Sequence, residues 1–345
     1  MGRAVPDLGR RCARVPLGDR QRPGAEQLRH HLERQRDQAA GACPSDRPDW
    51  SLFGSAGGGG NPPAAGTLQW EAAHHGSGGF LAYLITGDYV HLETMEAQAA
   101  TCYLSAGSGY GRGFGTARDF LGQTRGEAWS ERTVGQLVGI GPSGDAIVED
   151  YRAMLQNIGA RWLAVAQTPG INRLGYLYDY DIASGAHSTT VGIVAPWQQH
   201  FWMQTLGAIS DLEHFADMTT WNAFRDHLYT GVVGILGGAG TSEFGHARAA
   251  GYTMRIADTP TGDPGAWYDS WGMVYERSFG MPNAGGDEML GRSTIPTGYW
   301  GNLLPAIAYA VDDGAPGAAA AWARLTASSN WSTFAGSGFA DTPLW

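Results

Sequence analysis

Two histidines, one arginine and a run of tyrosines are the residues of this chain best suited to move protons or hold an anion. His74 and His75 follow Glu71 and precede Gly76-Ser77-Gly78-Gly79, a polar loop ahead of an apolar run. Imidazole is the side chain best matched to proton transfer near neutral pH. Arg125 stands at the start of a second polar-then-apolar stretch, Gln123-Thr124-Arg125-Gly126. A guanidinium fork there would hold a carboxylate by two parallel hydrogen bonds. Tyr176-Leu177-Tyr178-Asp179-Tyr180-Asp181 alternates phenols and carboxylates, with His187, Trp197 and His200 beyond it. Tyr178 and Tyr180 are candidate acids or bases, and Glu71, Asp179 and Asp181 are candidate carboxylates for a hydrolase.

Such residues need elements that bring them together, and the chain repeats one format. A loop dense in His, Trp, Tyr and Arg leads into an apolar helix, a Gly/Asp turn and an amphipathic helix. The first hairpin has the apolar run Phe80 to Ile85, a turn at Thr86-Gly87-Asp88, and a stripe at Leu92, Met95, Ala99, Cys102 and Tyr103. The second runs through Trp129, Val134, Leu137 and Ile140 and turns at Gly141-Pro142-Ser143-Gly144-Asp145. It returns with Val148, Tyr151, Leu155, Ile158, Trp162 and Val165 in steps of three and four, the spacing of one helix face. Glu127 and Glu131, four apart on the outgoing helix, read as salt-bridge partners of Arg. The third starts at Ala195-Pro196-Trp197, where Pro suits a first helical turn. From Trp197 to Ile209 it has no charge apart from any proton on His200, so it should be buried all round. Residues 217–236 return through Trp221, Phe224, Leu228 and Val232. The last hairpin spans Tyr299 to Val311 and Ala318 to Ala327, while 237–298 is Gly-rich and aromatic without clean periodicity.

At 345 residues with 43% hydrophobic and 11% aromatic side chains, the chain has ample material for a large core. All 23 basic residues are Arg. Residues 1–50 carry ten of them against seven acids, which leaves 13 Arg against 26 acids in 51–345, a net of −13. That charge argues against a nucleic-acid-binding face. No stretch approaches the roughly 18 apolar residues needed to span a membrane. Cys12, Cys43 and Cys102 sit at no metal-ligand spacing, and no metal or other cofactor is expected. Residues 1–50 read as a disordered or mis-started leader and 51–69 as a Gly/Pro linker, with 70–345 as the helical domain. Arg10-Arg11 lack the apolar stretch of a signal peptide, so export is expected only from a start further upstream.

The hairpin format, the turn segments YLITGD and VDDGAPGAAAAWARL, and the loops EAAHHGSGG, QTRGEAW and APWQQHFW together resemble the (α/α) toroid of polysaccharide lyases and six-hairpin glycosidases. The resemblance covers residues 70–330. It implies an all-α fold, and four or five hairpins make the toroid incomplete. It also implies a carbohydrate-active enzyme acting on a uronate-containing polysaccharide by β-elimination. In that division of labour Arg125 neutralises the carboxylate, His74 or His75 takes the proton beside it, and Tyr178 or Tyr180 protonates the departing oxygen. Glu71, Trp129, Asp179, Trp197 and His200 would contact the glycan, with 13 Trp and 14 Tyr available to hold sugar rings. The Asn-Asn-His of some toroid lyases is absent. The alternatives are an inverting glycosidase using Glu71 with Asp179 or Asp181, and a non-catalytic helical module that binds a glycan or a protein. Because inner helices of such a ring run in one direction, the loops that precede them should converge on one cleft.

Overall fold

The computed structural model describes residue 72, residues 75–105, 120, 124–167, 174–177, 192–212, 215–258, 267–290 and 299–333. All of them belong to one unit, Pro48–Trp345. The proposed leader and linker lie outside the described residues. Of the described residues 65% are helical and the only sheet has two strands, so the chain is predominantly α. Among the described residues no helix is long and apolar enough to cross a membrane.

Among the described residues, four helical hairpins carry the fold. Helices α1 (Phe80–Thr86) and α2 (Tyr89–Ser105) form the first, α3 (Thr124–Ile140) and α4 (Ala146–Ala166) the second. The third pairs α5 (Pro196–Asp211) with α6 (Thr219–Ile235). A short helix α7 (Trp271–Phe279) precedes the fourth, α8 (Tyr299–Asp312) with α9 (Ala318–Thr326). Local chemistry sets the ends. Asp145 caps α4 by accepting the Ile147 N–H at 3.0 Å, a contact worth about 1 kcal/mol. The stripe of α4 is buried from Val148 to Trp162.

The longest helix–helix contacts join α3 to α5 and α5 to α8. Their directions can be read from side-chain pairs. Along α3 and α5, Arg125 meets Gln198, Trp129 meets Phe201 and Glu131 meets Trp202, rising together in both helices. Along α5 and α8, Trp197 meets Tyr299, while a Cβ on Gly207 would stand 2.5 Å from the Tyr309 ring. The three helices therefore run parallel and begin at one end. Helices α4 and α6 return behind them and pack on each other. Twelve of the sixteen residues of α5 are buried, as its lack of charge predicts.

One local reading changes. The apolar run of α1 forms a helix, but Leu81, Leu84 and Ile85 are 59%, 47% and 82% exposed. A seven-residue helix cannot span the layer, and α2 rather than α1 packs against α3. Glu127 and Glu131 are buried, at 1% and 0% exposure.

The sheet is small and has a positioning role. Strand β1 (Ile193–Val194), just before α5, pairs antiparallel with β2 (Met254–Arg255), Val194 opposite Met254. Gly192 anchors it with φ +52°, its carbonyl accepting the Ile256 and Ala257 N–H groups at 2.6 and 3.2 Å. A Cβ there would stand 2.2 Å from the Ala257 carbonyl oxygen. Gly192→Ala therefore combines left-handed strain with a backbone clash and is expected to cost about 2 kcal/mol. Urea denaturation of the variant checks this, and an unchanged midpoint would contradict the anchoring role.

Candidate functional site

The end at which α3, α5 and α8 begin presents Arg125, Trp197 and Tyr299. The Arg125 backbone N–H donates to Gln198 Oε1 at 3.1 Å, which ties the first turn of α3 to that of α5. Its Nε is buried and has no hydrogen-bond partner among the described residues. Trp197, next to Gln198, lies 5.5 Å from Tyr299 between ring centroids. Tyr252 completes a cluster at 6.2 Å from Trp197 and 5.5 Å from Tyr299. The sheet register places it there, because continuing the antiparallel pairing beyond Val194 and Met254 sets residues 196–197 opposite 251–252. Tyr252 is 46% exposed, and Trp197 and Tyr299 are half-buried.

Beneath this rim is a layer of buried polar groups. Trp129 and Phe201 stack at 4.8 Å, and the Arg132 guanidinium lies over the Trp129 face at 4.0 Å. Burial lowers the Arg132 pKa to about 9. Glu131 accepts the Trp202 indole N–H at 2.6 Å. Desolvation first, and the neighbouring Glu127 second, hold its pKa well above the usual carboxylate range. The Glu127 carboxylate accepts the Phe120 N–H at 2.7 Å and the Trp162 indole N–H at 3.4 Å. The acid pair thereby joins α3 to α4 and α5.

A second buried pair sits on α5. His200 Nε2 lies 2.5 Å from the Tyr176 hydroxyl, and both residues are 0% exposed. Burial lowers the His200 pKa to about 3 and raises that of Tyr176. The neutral imidazole and the neutral phenol therefore share one hydrogen bond, and His200 Nδ1 has no partner among the described residues. Gln199 clips the same segment, donating to the Leu177 carbonyl at 3.0 Å and accepting its N–H at 3.3 Å.

Of the residues singled out in the sequence, Arg125, Trp129 and Trp197 are brought together where α3 and α5 meet. His200 lies one turn below, facing Tyr176 in the core and not the rim. His75 is exposed ahead of α1. His74, Glu71, Tyr178, Asp179, Tyr180 and Asp181 lie outside the described residues. Tyr252 and Tyr299 were not foreseen. Tyr252 comes from aperiodic sequence and Tyr299 opens the last hairpin, and only the strand pairing reveals that Tyr252 reaches Trp197. Cys102 is fully buried and its thiol is pushed up to about 12, chiefly by desolvation, so it is an inert core thiol. Among the described residues no three His, Cys, Asp or Glu side chains converge as a metal site requires. Compared with family models, curated proteins and solved structures, the chain matches none.

Proposed function

We propose that this chain is a carbohydrate-active enzyme on an incomplete (α/α) toroid, cleaving a uronate-containing polysaccharide by β-elimination. One observation carries the reading. Three parallel helices begin at one end, and there Arg125, whose buried Nε has no partner among the described residues, opens α3 next to the first turn of α5, which carries the half-exposed Trp197 ring. A sugar ring offers an apolar C–H face to aromatic planes, and a uronate adds the carboxylate that a guanidinium recognises.

In the reaction, Arg125 neutralises the carboxylate and so acidifies the proton on the adjacent carbon. His75 or His74 takes that proton, its electron pair forms the carbon–carbon double bond, and the glycosidic carbon–oxygen bond breaks. Tyr178 or Tyr180 protonates the departing oxygen. The hydrolase alternative needs Glu71 with Asp179 or Asp181; Glu127 and Glu131 are buried against each other and do not replace them.

The test is a panel of uronate polymers, with the ultraviolet absorbance of an unsaturated product as readout. Arg125→Ala is expected to lower turnover by at least about a hundredfold, the scale for losing one charge-stabilising donor, with little change in melting temperature. New reducing ends without that absorbance would replace the lyase by the hydrolase. No product from any polymer would leave the binding module.

A further inference from the structure

Trp197, Tyr252 and Tyr299 offer more than general stickiness. Their rings converge from three separate parts of the chain, and the two-residue sheet fixes the approach of Tyr252 to Trp197. Among the described residues no guanidinium lies over the Trp197 or Tyr299 ring. The polar group the cluster leaves unsatisfied is the Trp197 indole N–H, buried and without a partner among the described residues. An uncharged donor beside aromatic faces suits a hydroxyl on a neutral sugar ring better than a carboxylate. Arg125 opens the neighbouring helix α3, its backbone N–H bonded to the Gln198 side chain.

We infer that Trp197, Tyr252 and Tyr299 form a stacking subsite for an uncharged pyranose, adjacent to the position where Arg125 takes a uronate. The substrate is then a mixed polymer in which neutral sugars adjoin uronates, and Tyr252 is a specificity-determining residue. The inference rests on the glycan reading above but not on the elimination chemistry. Tyr252 suits the role because nearly half of its surface is open to a ligand while its ring is held by two neighbours.

The experiment is titration calorimetry of the full chain with cellohexaose, xylohexaose, mannohexaose and maltohexaose. At least one is expected to bind. Tyr252→Ala and Trp197→Ala should weaken it by about tenfold or more, while Tyr252→Phe, which keeps the ring, should stay within about threefold. Circular dichroism of each variant establishes that it is folded; Tyr252→Ala is the decisive one because the residue is exposed. Absence of binding across the panel, or binding indifferent to Tyr252→Ala, overturns the subsite. Failure of the lyase reading looks different: no uronate polymer yields unsaturated product, yet the neutral sugar still binds in a Tyr252-dependent way.

Discussion

Replacing Trp202 by alanine is expected to remove most of the stability of the fold. The indole is 1% exposed and packs edge-on against Trp162 at 5.0 Å and Phe224 at 5.4 Å, so it joins α5 to both return helices. Truncating a buried aromatic of this size costs about 3–5 kcal/mol. The change also leaves the Glu131 carboxyl without its 2.6 Å donor, adding about 1–3 kcal/mol for an unsatisfied buried group. Against a total of about 5–15 kcal/mol for an ordinary domain, the sum leaves a marginal protein. Trp202→Phe separates the contributions, because it keeps most of the ring and loses only the N–H. Its expected cost is about 1–3 kcal/mol. Pairing it with Glu131→Leu should recover part of that loss, since both members of the buried contact then become apolar. Chemical denaturation of the three variants measures the series, and a Trp202→Phe midpoint equal to that of the parent would show that the indole N–H contributes nothing.

Much of the helical layout was legible, and the places where it was not have physical causes. The α4 stripe could be read because Val148, Tyr151, Leu155, Ile158 and Trp162 keep a helical period. Helix α5 could be read because a charge-free helix has no face to offer water. Helix α3 is as buried as α5, with thirteen of its seventeen residues inside. Its Glu127, Glu131 and Arg132 mask that burial, because a sequence does not show that Glu131 accepts from Trp202 or that Arg132 lies on Trp129. The opposite error occurs at α1, where apolar composition suggests burial and the short length prevents it. At the rim, the nearness of Arg125 and Trp197 follows from helices running in one direction. The arrival of Tyr252 does not, since two-residue strands leave no periodic signal.

The buried acid pair and the buried histidine should give this protein two opposed pH dependences that single substitutions can separate. His200 has an ordinary pKa of 6.5 when unfolded and about 3 when folded. Below 6.5 the unfolded chain binds the extra proton, so the contribution of His200 is complete above that pH and is lost as pH falls toward 3. The slope is about 1.4 kcal/mol per pH unit, or about 3 kcal/mol between pH 6.5 and 4.5. His227 and His246, both lowered by burial, act in the same direction. Glu131 has the reverse sign. Its folded pKa is raised well above 4.5, so the native state binds the extra proton, and its contribution is complete below 4.5 and lost as pH rises toward the folded value. Relative to the parent, His200→Gln, whose amide can still accept from Tyr176, should gain stability on acidification. Glu131→Gln, which mimics the protonated carboxyl and can still accept from Trp202, should gain stability as pH rises. Urea midpoints at fixed ionic strength between about pH 4.5 and 7.5 measure both differences. If the two variants shift in the same direction with pH, at least one of these groups does not have the charge in the folded protein that its burial implies.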